Sequence, residues 1–194
     1  MTKPLAGHRS LALYFILAFA YFFSGQLLSG LSNQSQVVAV WAPAGIALVG
    51  CYIWWMRFVP AVFFASALFN LSVHDAIEFT SLTANIGLEA GLIALGAVSQ
   101  AMVGAALFRF WIGDPLGCQS QHTPIRFIFV IGLVVSLISP NIGVLVLSHL
   151  NSSYSLENHW VNVFYWWLGD SLGVLLVTPF LLSLINLESL PKKS

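Results

Sequence analysis

Charged residues are scarce in this sequence. Its 194 residues include seven Lys and Arg and seven Asp and Glu, which together make up 7% of the chain. Ordinary soluble domains carry about 25% charged residues, so this chain has too few to cover the surface of a soluble protein. Because 58% of its residues are hydrophobic, we expect lipid to be the solvent for most of the chain.

Several classes of function also lack their usual motifs. The net charge is zero and no basic patch occurs, so nucleic-acid binding has no electrostatic support. No His-Glu-x-x-His zinc motif, Gly-x-Ser-x-Gly elbow or phosphate loop is present, so we expect the domain itself not to be an enzyme. Cys51 and Cys118 do not make a disulfide framework, and we interpret both as ordinary thiols. We predict no cofactor, because His149 and His159, the one conceivable haem or metal pair, are too few ligands.

The hydrophobic runs predict an all-α integral membrane protein with about six transmembrane helices and proline-broken segments. We place these spans at 10–30, 37–56, 58–73, 80–108, 126–150 and 159–187, within a single domain over residues 1–194. The first run is about as long as a spanning helix requires, so we interpret it as an uncleaved span and not a signal peptide.

The basic residues predict the orientation of these spans. With six spans and a cytoplasmic N-terminus, none of the outer loops contains a Lys or Arg, which is a complete positive-inside bias. Both termini are then cytoplasmic. The basic residues assigned to the cytoplasmic side are Lys3, Arg9, Arg57, Arg109, Arg126, Lys192 and Lys193.

Two acidic residues fall inside predicted spans. Counted from the outer ends of their spans, Glu89 lies about 14 Å deep and Asp170 about 16 Å deep, and Asn141 lies about 14 Å deep in a third span. A carboxylate at this depth is costly and usually faces a protein interior or a wet cavity, so it is a functional-site hypothesis. Since no Lys or Arg lies at the same depth, each acid must be protonated, hydrated or bound to a ligand.

Further polar residues accompany these acids toward the outer face. Asn85 lies one helical turn outward of Glu89 on the same helix face. Gln100 is deeper and is the main exception to the outward bias. One interpretation is that these groups form hydrogen bonds between helices, at about 0.6–2 kcal/mol each. The other is an outer-half polar pocket, whose candidate ligand-binding residues are Asp170, Glu89, Asn141, Asn85, Trp167, Trp41 and Asn70.

Prolines and glycines indicate irregular or close-packed helices at this level. Pro43, Pro140 and Pro179 each remove an amide donor, and a break at Pro140 could lie near the acids. The alternative for each proline is a simple kink. Glycines four residues apart at 87 and 91, and at 169 and 173, predict that the fourth and sixth spans pack closely.

Three blocks of sequence resemble the membrane-associated sensor domain of the MASE type-one family. Residues 40–48 are similar to its Trp-Pro-Pro-x-Gly segment, with Ala42 in place of the first proline. Residues 64–71, followed by Asn85 and Glu89, are similar to its middle part. Residues 166–179, which contain Trp167, Gly169 and Asp170, are similar to its most recognisable segment. The resemblance covers essentially the whole chain.

The resemblance implies a sensory input domain in the bacterial inner membrane. Such domains usually precede a cytoplasmic output region of the histidine-kinase or cyclic-di-GMP type, and no chemistry would reside in the domain itself. The implied partners are the lipid bilayer, an output domain or separate signalling protein, a second copy in a homodimer, and possible membrane-protein partners. Two alternatives remain open: a small transporter or channel that uses the midplane acids, and a structural module for dimerisation or partner docking.

Overall fold

The computed structural model describes residues 7–31, 40–73, 84–111, 123–151 and 154–185, and every regular element within them is helical. The main helices are α1 (Gly7–Leu31), α2 (Ala42–Trp54), α3 (Val59–Val73), α4 (Ala84–Trp111), the short α5 (Thr123–Arg126), α6 (Ile138–Leu150) and α7 (His159–Leu184). A 3₁₀ turn, Trp55–Phe58, joins α2 to α3, and a π-helical segment, Phe127–Val134, leads through a 3₁₀ turn, Val135–Leu137, into α6. The predicted all-α fold is confirmed.

Five helical runs are long and apolar enough to cross a membrane. They are Ser10–Gly30, Ala42–Val73, Asn85–Trp111, Pro124–Leu150 and Leu156–Leu184. The predicted count of about six is not confirmed by this criterion, because α2 and α3 belong to one continuous run of 32 residues. Singly, with 13 and 15 residues, each is shorter than the about 20 residues that a spanning helix needs.

The run Ala42–Val73 is nevertheless a hairpin and not a straight rod. Its two ends meet, because the rings of Trp41 and Phe69 lie 5.0 Å apart. The chain reverses at Trp55, whose φ of 56° is an uncommon backbone conformation for a bulky residue. The hairpin packs along α1: Trp54 Nε1 donates to Ser10 Oγ at 3.0 Å near one end, and Gln26 Nε2 donates to Ser72 Oγ near the other.

The remaining helices alternate in direction around this hairpin. α4 runs parallel to α2, since Arg109 near its end contacts the backbone carbonyl of Tyr52. α7 also runs parallel to α2, because Gly169 contacts the start of α2 and Thr178 lies further along it, at Gly45. α1 therefore begins, and α7 ends, at the same end of the bundle. We call this the arginine end, because Arg57, Arg109 and Arg126 lie there; Lys3, Lys192, Lys193 and Cys118 lie outside the described residues.

The bundle has many large apolar side chains on its outside, and its interior combines apolar side chains with several polar ones. Exposed hydrophobic residues include Phe19, Phe110 and Phe180, at 62%, 81% and 61% exposure. In water this arrangement would be unstable, whereas in lipid an apolar exterior is the favourable one. The chain is a multi-pass membrane protein. The buried polar side chains are Ser66, Glu89, Gln100, Ser136, Ser139, Asp170, Ser171 and Thr178.

Candidate functional site: a polar cavity around Asp170

The first turn of α2 is joined to α7 through backbone atoms. Trp41 N donates a hydrogen bond of 2.8 Å to the carbonyl oxygen of Gly169, just before α2 begins at Ala42. Gly173, one turn further along α7, lies so close to the Trp41 carbonyl that any Cβ there would overlap it. The glycines at 169 and 173 therefore bring α7 against α2, and the prediction that they pack against the fourth span is wrong. No described atom lies near a Cβ placed at Gly87 or Gly91.

Asp170 lies beside this contact and is 1% exposed. Its Oδ2 accepts a hydrogen bond of 2.9 Å from Gln100 Nε2 of α4. The other end of the Gln100 amide, Oε1, accepts a hydrogen bond of 3.0 Å from the backbone N–H of Ser139 in α6. One glutamine side chain thus links α7, α4 and α6, and we call these three residues the Gln100 bridge.

The backbone of α6 is irregular where it joins the bridge. Pro140 has no amide hydrogen, so the helical bond that would end on the carbonyl four residues earlier cannot form. The preceding turns are π-helical and 3₁₀, and the Ser139 N–H bonds to a side chain outside its own helix. Irregular backbone at membrane depth needs such partners in the protein interior. The run is thus irregular but not interrupted before Pro140, and this irregular part lies beside Asp170.

A small cavity adjoins the bridge. Its volume is about 20 Å³, measured as the space open to the centre of a water molecule. This is room for about one water-sized group. Five helices contribute to its wall: the lining residues are Tyr21, Trp41, Ala44, Ala47, Ala97, Gln100, Ala101, Ser139 and Asp170. This lining contains one carboxylate and no Lys, Arg or His.

The hydrogen bonding of Asp170 is incomplete. Gln100 occupies Oδ2, whereas the buried Oδ1 has no hydrogen-bond partner among the described residues. The Ser171 hydroxyl, next along α7, is likewise buried without a partner in the described part of the chain. A buried polar atom left unpaired costs about 1–3 kcal/mol, and more when it is charged. Such a cost is common where a protein holds a ligand or a proton.

Of the seven predicted site residues, Asp170 and Trp41 line the cavity. Trp167 and Asn70 are half-buried but point to backbone: Trp167 Nε1 donates to the Leu133 carbonyl, and Asn70 Nδ2 to the Ser66 carbonyl, both at 2.8 Å. Asn141 is exposed, and its Nδ2 donates to the Leu137 carbonyl one turn back at 2.7 Å.

Glu89 is buried, at 3% exposure, yet it lies at a different level from Asp170. The helix contact of Asp170 on α4 is Gln100, which is about 16 Å along the axis from Glu89. The sequence predicted that the two acids lie at about the same depth, because they are about equally far from the ends of their spans. They do not, because α4 extends further than α7 at the end of the bundle opposite the arginine end. Asn85 is exposed one turn further out.

The cavity includes three polar residues that sequence reasoning did not select. Gln100 was visible as a deep polar side chain, but its depth set it apart from the candidates. Ser139 was noted only because it precedes Pro140, and Tyr21 carried no signal, because a tyrosine is unremarkable in an apolar helix. Tyr21 is 4% exposed and has a side-chain hydrogen bond with Ser66 of α3, which brings the first helix into the wall.

The two outer histidines have local partners. The His149 Nδ1 lies 2.9 Å from the Leu145 carbonyl oxygen and 3.0 Å from Ser148 Oγ. The His159 ring packs edge-on against Tyr154 and Trp160. Within the described ranges, no group of three or more His, Cys, Asp or Glu side chains is arranged to hold a metal ion.

Comparison with known families agrees with the resemblance in the sequence. The family model MASE1 matches residues 9–194, which is nearly the whole chain and includes every helix of the cavity wall. The chain belongs to the MASE1 family. As a MASE1 domain it is a membrane-associated sensor domain of signal transduction, built here from apolar helices around a polar cavity. No curated protein and no solved structure matches the chain.

Proposed function

We propose that this MASE1 domain is the sensory input of a bacterial signalling protein, and that its signal acts at the Asp170 cavity. The observation that carries the proposal is the Gln100 bridge. A buried, incompletely paired carboxylate on α7 is joined by one side chain to α4 and to the irregular start of α6. A change in what pairs with Asp170 changes the partners available to both other helices.

The proposed topology has six crossings in the bacterial inner membrane. The α2–α3 hairpin supplies two of them, since a short span is accommodated by local thinning of the bilayer and by snorkelling side chains. The arginine end is cytoplasmic, in accord with the positive-inside rule. Both termini are then cytoplasmic, and the end of α7 lies where an output region of the histidine-kinase or cyclic-di-GMP type would receive its motion.

The proposed mechanism is a shift between two helix arrangements. α7 runs about 21 Å from Asp170 to Leu184 as one helix, so a small displacement at the cavity reaches the arginine end. A ligand shifts the balance only by binding one arrangement better than the other, and pairing of Asp170 Oδ1 supplies that difference. The domain acts without a cofactor or chemistry of its own, as a homodimer or beside a separate membrane or signalling partner.

The test is Asp170→Asn in the complete signalling protein. Asparagine keeps the shape and can still accept the Gln100 hydrogen bond, but it removes the charge. We expect the basal output to change and the response to the signal to fall at least about tenfold, which corresponds to about 1.4 kcal/mol of coupling. Output is measured as kinase or cyclase activity at matched protein levels.

Asn141→Leu is the matched control. It removes another polar side chain from the same membrane depth, but one that is exposed and outside the cavity. We expect the output and the response to stay as in the unmodified protein. If Asp170→Asn also left both unchanged, the proposed role of the cavity would be wrong. Asp170-dependent flux of a solute into liposomes would instead favour the transporter alternative.

A further inference from the structure

The cavity around Asp170 has the donor set of a site for a small cation. Its single carboxylate has one oxygen, Oδ1, with no partner among the described residues. Three other lining residues, Tyr21, Ser139 and Gln100, carry neutral side-chain oxygens, and Trp41 adds its indole to the wall. Carboxylate, hydroxyl and carbonyl oxygens are the ligands that hard cations prefer.

The charge and size of the cavity favour a monovalent ion. One carboxylate neutralises one positive charge, whereas a divalent ion would leave an excess charge buried in an apolar bundle. Calcium takes six to eight oxygen ligands, and magnesium usually keeps several bound waters. A cavity of about 20 Å³, with room for one water-sized group, has no space for either arrangement. The lining has no Lys, Arg or His that would compete for the carboxylate.

Gln100 is already arranged in the manner that such a site requires. Its N–H₂ group donates to Asp170 Oδ2, and its carbonyl oxygen accepts from the Ser139 N–H of α6. The carboxylate therefore keeps its other oxygen for a positively charged group. The Ser139 N–H, by donating to Gln100, holds that amide in place. The residues that line the cavity come from helices before and after the α2–α3 hairpin in the sequence.

We propose that the cavity binds one monovalent cation of about the size of sodium, held by Asp170 with the neutral oxygens of Tyr21, Gln100 and Ser139. The bound ion completes the pairing of Asp170 Oδ1 and favours the arrangement in which the Gln100 bridge is intact. This inference names the ligand class of the cavity and rests on the proposed function for its role in signalling, although the binding itself does not depend on that role.

Radiolabelled sodium binding to the purified chain in lipid nanodiscs tests the site directly. We expect saturable binding with competition by lithium, and no competition by choline, which is much larger than the cavity. Asp170→Asn should abolish the binding, and Tyr21→Phe, which keeps the ring and removes one oxygen, should weaken it several-fold. Glu157→Gln is the control, since Glu157 is an exposed acid outside the cavity. This variant should bind sodium as the unmodified chain does.

Stability measurements separate loss of the site from loss of the fold. At constant ionic strength, the melting temperature should rise with sodium relative to choline in the unmodified chain, because a ligand of the folded state stabilises it. Asp170→Asn should melt cooperatively, without the sodium dependence. Absence of saturable binding, or binding that survives Asp170→Asn, would overturn the site. A melting temperature that depends on pH but not on sodium would also overturn it and would assign the proton to Asp170.

Binding and signalling are read out separately, so their failures can be told apart. Sodium binding that has no effect on output would leave the cation site in place and contradict the proposed function. Conversely, the unmodified chain could bind no sodium while Asp170→Asn alters signalling. That result would support the proposed function and contradict the cation site.

Discussion

The arginine end and the Asp170 cavity each place a charged side chain in the same bundle, and the two charges have opposite sign. Arg109 makes several polar contacts, whereas Asp170 makes one among the described residues. Arg109 Nε donates to the Tyr52 carbonyl at 3.0 Å, and its guanidinium lies 4.7 Å from the centre of the Trp55 ring. It thereby satisfies carbonyl groups at the negative end of α2 and covers the strained turn. Asp170 receives a single hydrogen bond and keeps one oxygen unpaired.

Under the proposed function, this difference separates a structural charge, Arg109, from a functional one, Asp170. Charges that hold a fold together are paired as fully as geometry allows, because each buried and unpaired group lowers stability. A site for a ligand must leave a group unpaired until the ligand arrives. On this comparison, changes at the arginine end should reduce stability, whereas a change of charge at Asp170 should alter binding and signalling and largely spare the fold.

The largest expected effect is that of Gly173→Ala, which would separate the wall of the cavity from α2. Its Cβ would meet the backbone carbonyl of Trp41, which cannot rotate away as a side chain can. We expect a loss of about 3 kcal/mol of stability, at the upper end for overpacking, together with loss of sodium binding. Thermal unfolding in nanodiscs measures the first and radiolabelled sodium the second.

Gly87→Ala is the matched control for that change. A Cβ at Gly87 has no described atom within 4 Å, so its stability should be unchanged or slightly higher. Equal melting temperatures for the two variants would contradict the close contact of α2 with α7.

The second effect in size is that of Arg109→Ala, which tests the arginine end. It removes charge-assisted hydrogen bonds to the carbonyls that end α2 and the contact with Trp55, and we expect a loss of about 2 kcal/mol. Sodium affinity of the folded fraction should stay within about twofold, because Arg109 is outside the cavity lining. Arg126→Ala, at an exposed arginine of the same end, should change stability by less than about 0.5 kcal/mol. A loss of sodium binding without a loss of stability in Arg109→Ala would reverse the comparison.

The smallest expected effect on stability is that of Gln100→Leu. It removes the bridge between Asp170 and the Ser139 N–H. We expect a loss of about 1 kcal/mol, the low end for an orphaned buried group, because the adjoining cavity has room for a water that pairs with the freed atoms. Combined with Asp170→Leu, which removes the acceptor, the two changes should cost less than their sum, because they remove the same hydrogen bond. Unfolding of the two single variants and the double variant measures this coupling. Strictly additive losses would show that the bridge does not join the two residues energetically.

Much of the architecture was predictable from the sequence because the bilayer imposes simple requirements. The scarcity of charge and the lengths of the apolar runs predicted an all-helical membrane protein, and the helix positions at 10–30, 58–73 and 159–187 lie close to those observed. Asp170 was identified as the leading site residue because a carboxylate is costly at membrane depth. The block around Gly169 and Asp170 was also enough to indicate the family.

What the sequence by itself determined was therefore the helical membrane class, the approximate helices, the family and the choice of Asp170 as a candidate site residue, since each depends on composition or local pattern. Only the tertiary structure decided that α2 and α3 fold back at Trp55, that Gly173 packs on α2, and that Gln100 is the partner of Asp170 in place of Glu89 or Asn141. These depend on the height at which each helix begins and on the direction in which each side chain points. Both are set by packing between distant segments, which a count of residues from the end of a span does not contain.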